Sequence, residues 1–214
     1  MANYGVQFNG AGRVNIPTWT ALAGDDYSLE VLFKTDTLAL GGLFGAAANE
    51  DWLAEFANGD LKRKFEAIAS VTIDTLLAST EYLYTESRES GIVTSKLFDS
   101  VGAELSSQTN NTNAELSISR IGSTQDLNFN GRIDRVKLTT IGDTRDYYSV
   151  LNTGTVLTDS LGDGSTDGTL SGLATDGSEW VLITNIVDTT LPVIDLNAPS
   201  EITIVNGGVY TAAA

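Results

Sequence analysis

The chain has 214 residues, with 12 Lys and Arg against 28 Asp and Glu, a net charge of −16, and neither cysteine nor histidine. This excludes a disulfide framework, thiolate or imidazole metal ligands and histidine-based catalysis, and it argues against an electrostatic hold on nucleic acid or on an anionic membrane. Apolar residues make up 42% and charged residues only 19%, which suits one large β domain able to bury a sizeable core.

Met1-Ala2-Asn3-Tyr4 enters a strand-like pattern with no basic-then-apolar leader, so synthesis in a cytoplasm without membrane insertion is expected. The first strands are predicted over residues 6–8 and 13–16. Strict alternation follows over residues 27–34, with Tyr27, Leu29, Val31 and Phe33 on the buried face and Ser28, Glu30 and Lys34 on the other. After a strand at 42–46, Asn58-Gly59 sits between runs at 52–56 and 61–65 and predicts a tight hairpin. Residues 51–69 also carry helix-forming Leu, Ala, Glu and Lys, but Asn58-Gly59-Asp60 would interrupt such a helix.

Further strands are predicted at 66–73, 82–86, 91–98, 115–121, 130–138, 147–151 and 180–183. In the run from Phe129 to Leu138, Phe129 and Ile133 are in phase while Val136 and Leu138 are one step out, so a β-bulge is expected near Asp134 or Arg135. Turn signals every 8 to 12 residues predict an antiparallel sandwich and not a βαβ fold, with under about a tenth of the residues in helix. The last basic residue is Arg145; Asp146, Asp159, Asp163, Asp167, Asp176, Glu179, Asp188, Asp195 and Glu201 follow it. That half is either a solvated acidic surface or one that favours cations or a basic partner.

The order of these pieces resembles the laminin-G-like, concanavalin A-like jelly rolls of phage and bacterial surface proteins. Val6-Gln7-Phe8-Asn9-Gly10 with Arg13-Val14-Asn15-Ile16-Pro17 is similar to that family's opening strand pair, and Gly41-Gly42-Leu43-Phe44-Gly45 to a later segment. Phe129-Asn130-Gly131-Arg132-Ile133-Asp134-Arg135-Val136 is similar to its late strand, and the run from Thr158 to Leu170 to its Gly/Asp-rich loop. The resemblance implies an all-β, concanavalin A-like antiparallel jelly-roll β-sandwich over residues 1–187. From Asp188, Asp188-Thr189-Thr190-Leu191-Pro192-Val193-Ile194-Asp195 with Gly207-Gly208-Val209-Tyr210-Thr211 resembles the first strands of a bacterial immunoglobulin-like repeat. Residues 188–214 are therefore expected to be a linker and the incomplete start of such a domain.

Some folds of this type hydrolyse glycosides with carboxylates spaced as Glu-x-Asp-x-x-Glu, a spacing this chain lacks, so no catalytic residue is expected. Adjacent Asp25-Asp26, and Glu86 and Glu89 flanking a turn-like Arg88, are expected to be solvated surface charges. Calcium is the cation that oxygen ligands suit. Asp163, Ser165 and Asp167, in Asp163-Gly164-Ser165-Thr166-Asp167-Gly168, have the spacing of a calcium loop, but Ala174 stands where an EF-hand needs Glu, and a plain polar turn is the competing reading. Asp126-Leu127-Asn128-Phe129-Asn130-Gly131 mimics that spacing, but its alternation favours a strand.

A saccharide needs an exposed aromatic platform beside polar groups, for which Trp19, Trp52, Tyr82, Tyr84, Tyr147, Tyr148 and Trp180 are the pool. The expectation is a non-catalytic protein of the virion surface, a phage head decoration or fibre-like protein with a lectin-like display domain. Its partners would be other virion proteins of capsid or tail, surface glycans and further copies of itself in a homo-oligomer or symmetric array, with no nucleic acid. The alternative is a bacterial cell-surface adhesin or carbohydrate-binding module.

Overall fold

Most of the described residues lie in strands, the larger part of them marked by alternating apolar residues, and no helix forms among the described residues. The computed structural model describes residues 3–46, 51–65, 69–125, 127–149, 154–174, 176–183, 201–203 and 209–211. The strands are β1 (Asn3–Asn9), β2 (Arg13–Ala21), β3 (Tyr27–Thr35), β4 (Gly41–Gly45), β5 (Trp52–Glu55), β6 (Asp60–Lys64) and β7 (Val71–Thr75). There follow β8 (Glu81–Glu89), β9 (Ile92–Asp99), β10 (Glu104–Asn111), β11 (Leu116–Ile121), β12 (Ser123–Thr124), β13 (Leu127–Asn128) and β14 (Asn130–Thr140). The remainder are β15 (Asp143–Tyr147), β16 (Val156–Leu157), β17 (Gly168–Ser171), β18 (Trp180–Ile183), β19 (Glu201–Thr203) and β20 (Val209–Thr211).

Two sheets pack face to face as an antiparallel jelly-roll sandwich. The first runs β10-β9-β8-β3-β14-β1-β18 with β15 beside β14; the second runs β16-β17-β2-β11-β4-β5-β6-β7 with the short β12–β13 hairpin attached. One parallel bridge, Asn128 to Gly42, interrupts the antiparallel pattern.

β3 shows why the register is firm. Tyr27, Leu29, Val31 and Phe33 are all buried while Ser28, Glu30 and Lys34 face out, and a slip of one residue would exchange the two sets. Between Ile133 and Arg135 the β14 ladder shifts by one residue against β3, so the expected bulge is present, and it returns Val136 and Leu138 to the core. The Asn58-Gly59 turn joins β5 to β6, with Gly59 at φ 87° and the Phe56 amide donating to the Asp60 carbonyl at 2.9 Å. Phe8, Phe33 and Phe129 meet with ring centroids 6.1 to 6.4 Å apart at the heart of the core. A Cβ on Gly122 would stand 2.1 Å from the Phe8 ring, which explains a glycine there.

Several elements differ from the sequence reading. The strand predicted at 66–73 begins at Val71, residues 66–68 lying outside the described part, and the strand predicted at 147–151 ends at Tyr147. β10 was not predicted at all: Glu104-Leu105-Ser106-Ser107-Gln108-Thr109-Asn110-Asn111 has no apolar alternation, and its pairing with β9 creates the strand. Of the immunoglobulin-like start, residues 188–200 lie outside the described residues, while Glu201 pairs Thr211 in the β19–β20 ladder.

The largest correction concerns charge. Of the expected surface pair Glu86 and Glu89, Glu89 is exposed, but Glu86 and the Arg88 read as turn-like share the inward face of β8 with Tyr82 and Tyr84, and both are 1% exposed. Across the sandwich, Arg63 of β6 meets Glu86 in a bidentate pair, Nε to Oε2 at 2.7 Å and Nη2 to Oε1 at 3.0 Å. Tyr27 and Tyr84 donate their hydroxyls to the same carboxylate at 2.7 and 2.5 Å. The guanidinium also lies over the rings of Phe65 and Phe44, 4.1 and 5.3 Å from their centroids. Burial alone would raise the Glu86 carboxyl, but Arg63 and the two hydroxyls hold it below the usual carboxylate range.

Arg88 has a different solution. Its Nε donates to the Asp25 carbonyl at 2.5 Å and its Nη2 to that of Leu22 at 2.6 Å, while Nη1 donates to that of Ala114. One side chain thereby ties together the loops on either side of the sandwich end.

Glu55, inward on β5 and 1% exposed, accepts from the Thr35 hydroxyl at 2.8 Å and the Ala39 amide at 3.3 Å. Burial pushes its carboxyl up to about 7, with those two donors acting the other way. Asp134 is likewise raised by burial to about 6 despite its pairing with Arg132. A carboxyl raised on folding favours the fold at low pH and loses that contribution as pH climbs through its folded pKa. Between pH 5 and 8 the protein should therefore lose stability as pH rises. Glu55→Gln should match the wild-type urea midpoint at pH 5 and exceed it at pH 8; a constant gap across that range would show that Glu55 does not titrate there.

Candidate functional site

On β5, Trp52, Ala54 and Phe56 share one face and Leu53 and Glu55 the other. Hydrophobicity alone would bury the aromatic face. The fold does the reverse, because Leu53 and Glu55 pair with Arg63 and Leu61 on the inner side, leaving Trp52 and Phe56 half-buried on the outer surface of the second sheet. Their rings lie 6.1 Å apart at 44°. Lys62, opposite Ala54 on β6, places its Nζ 4.6 Å from the Phe56 centroid and 3.3 Å from the Asp60 carboxylate. The Asn58 side chain, and Lys62 after it, hold the Asp60 carboxyl below its usual range, so it is a hydrogen-bond acceptor at neutral pH.

The other aromatics of the pool go elsewhere. Trp19, Tyr82, Tyr84, Tyr147 and Trp180 are buried, and Tyr148, pointing away from Tyr147, is half-buried. Phe56 and Lys62 were missed from sequence. The i, i+4 spacing of Phe56 from Trp52 and the position of Lys62 across the Asn58-Gly59 turn were visible, but which face of β5 looks outward was not.

The acidic loop folds on its own hydrogen bonds. Asp163 Oδ1 accepts from the Ser165 amide at 2.9 Å, while Asp167 Oδ1 accepts from the Asp159 amide at 2.8 Å. Asp159, 2% exposed, is the loop's anchor: it accepts from the amides of Asp146 and Leu161 at 2.8 and 3.1 Å and from the Thr166 hydroxyl at 2.7 Å. One oxygen each of Asp163 and Asp167 is thus engaged by a backbone amide, and among the described residues no group of three or more carboxylates converges on a metal position. Asp163, Ser165 and Asp167 lie on one turn held by side-chain to backbone hydrogen bonds.

A second concavity, about 550 Å³, opens at one end of the first sheet. Ser28, Ser87 and Thr139, aligned across three strands, form its floor, and Asp26 and Ser90 stand at its side. Asp26 already accepts from the Ser90 amide at 2.8 Å, and the aromatic of this cleft, Tyr27, is buried with its hydroxyl on Glu86. It offers hydroxyls without a stacking surface.

The fold and the Trp52–Phe56 surface define the class: an all-β antiparallel sandwich with an aromatic pair on the outer face of one sheet. No family model matches the chain, and no curated protein matches it. Among solved structures it is similar to a candidate carbohydrate-binding protein from Bacteroides ovatus ATCC 8483, with a TM-score of 0.56 and 14% identity over 80% of this chain; the chain spans 58% of that protein. A heptameric SAP-like pentraxin from Limulus polyphemus aligns with a TM-score of 0.47 and 11% identity over 64% of this chain and 75% of its own. At these identities the likeness concerns the fold.

Proposed function

We propose that the chain is a non-catalytic display domain that binds saccharide on its Trp52–Phe56 platform. The observation that carries this reading is the pair of aromatic rings, 6.1 Å apart, set side by side on the outer face of the second sheet with Lys62 and Asp60 beside them. A pyranose offers an apolar C–H face to such rings and hydroxyls to flanking polar groups, here Lys62 and Asp60. The Glu-x-Asp-x-x-Glu spacing by which glycosidases of this fold type cleave sugars is missing from the chain, so the platform is read as one that holds a sugar without cleaving it. The fold likeness to the candidate carbohydrate-binding protein of Bacteroides ovatus supports the saccharide reading; a bacterial cell-surface module is the second setting.

The first setting is the virion surface, where the acidic half beyond Arg145 would resist non-specific adhesion and the sandwich would stand on capsid or tail partners. Labelled antibody on native particles distinguishes the two settings. For the binding itself, retention of the full chain in affinity gels cast with β-glucan, mannan or bacterial surface polysaccharide is expected for one of these polymers. Trp52→Ala should reduce that retention at least tenfold, an effect of the size expected of an aromatic anchor. Asp163→Ala should leave it unchanged. Retention unaffected by Trp52→Ala would move the site elsewhere.

A further inference from the structure

Strand β10 forms the outer edge of the first sheet, and among the described residues it pairs with β9 alone. An unpaired edge presents a row of free amides and carbonyls, and proteins usually blunt it with short length, charge, proline or a bulge. The other sheet ends are blunted: β16 spans two residues and β18 four, while β7 has five residues, Asp74 and a register shift. β10 has eight, and past Glu104 none is charged. Its bulge is confined to Glu104–Ser106, so Ser106 to Asn111 is a regular, uncharged template.

We propose that β10 is a self-association edge, at which two copies of the chain pair β10 to β10, antiparallel about a two-fold axis, and join their first sheets into one. Charge selects the occupant. Two molecules of net charge −16 repel across most of their surfaces, whereas here uncharged side chains meet uncharged side chains. Sheet geometry selects the register, because continuity of the two faces requires odd residues opposite odd and even opposite even. A pairing centred on Gln108 sets Ser107 opposite Thr109 of the second copy and Leu105 opposite Asn111. It also keeps the two Glu104 carboxylates about 27 Å apart along the strands, well beyond the screening length of about 8 Å at physiological salt.

A second observation fits the same register. Ser106 Oγ and Asn110 Nδ2, on the inward side of β10, are buried without a hydrogen-bond partner. In the Gln108-centred pairing Ser106 stands opposite Asn110 of the second copy. A turn about χ1 would let each amide donate to the facing hydroxyl, twice by symmetry, removing two orphaned groups per chain. Such a dimer carries two Trp52 platforms, which would raise avidity for a repeating ligand, but the pairing stands independently of the saccharide reading.

Light scattering on the full chain in solution should give a dimer mass. Ser107→Lys with Thr109→Lys, both exposed positions, sets like charges opposite each other and should give a monomer with unchanged far-UV circular dichroism. Ser107→Lys with Thr109→Glu sets opposite charges across the same pair and should restore the dimer. Because the chain has no cysteine, Gln108→Cys should cross-link to itself on oxidation. A wild-type monomer at every concentration, a dimer that survives the double lysine variant, or a Lys/Glu variant that stays monomeric would each overturn the proposal.

Discussion

Glu86→Gln is expected to destabilise the protein by about 3–5 kcal/mol, the cost of leaving a buried guanidinium without its counter-ion. The glutamine keeps the volume but has one accepting oxygen where the carboxylate has two, so the loss combines the uncompensated charge of Arg63, whose side chain is 0% exposed, with one tyrosine hydroxyl and one guanidinium N–H left without their acceptor. Arg63→Met should cost a similar amount from the other side, because the Glu86 carboxylate would then have only hydroxyl donors. Removing both charges in Arg63→Met with Glu86→Gln should cost far less than the sum of the two single changes, since no uncompensated ion remains. Urea midpoints of the four proteins form the test, and additive losses would show that the pair is not coupled. The pair joins β6 of one sheet to β8 of the other, so a related outcome is expected in specificity: the doubly neutral protein keeps the sandwich but allows the sheets more freedom to slide.

Arg88→Met should cost about 3 kcal/mol or more, for a different reason. The carbonyls of Asp25 and Ala114 lose this donor while that of Leu22 keeps only the Asp25 amide, and a buried acceptor left unsatisfied costs on the order of 1–3 kcal/mol. Arg88→Lys should recover only part of the loss, because one ammonium cannot reach three carbonyls that a planar fork reaches at once. The signature that separates this from the Arg63 pair is local. Amide exchange should rise first around residues 22–26 and 112–115 in the Arg88 variants, and throughout the core in the Arg63 and Glu86 variants. Uniform loss of protection in Arg88→Met would mean that the side chain supports the whole core and not these loops.

Where side-chain pattern and burial agree, the architecture is legible from sequence. The alternation from Tyr27 to Phe33, the Asn58-Gly59 turn and the phase slip after Ile133 each name a strand, a hairpin and a bulge, because each depends on neighbours in sequence and on a face that must be apolar. The same local logic failed at β10, whose polar residues have no apolar period and are ordered only by the β9 ladder. At the acidic loop it left two readings of Asp163, Ser165 and Asp167, a calcium site and a plain polar turn, and it did not reveal that the carboxylate at the centre of the turn's hydrogen bonds is Asp159.

What the sequence by itself determined is therefore the two-residue period, the positions of the turns and the all-β sandwich that follows from them. Which side of each strand looks inward was decided by the tertiary structure wherever both sides carried mixed residues. Trp52 and Phe56 face out because Leu53 and Glu55 are held against β6 and the Thr35 end of β3, and Glu86 and Arg88 face in because partners 23 to 66 residues away satisfy them. A charge can be buried only where a distant donor or acceptor meets it, and an aromatic ring is left outside only where the core is already filled; both are properties of the folded neighbourhood and not of the local pattern.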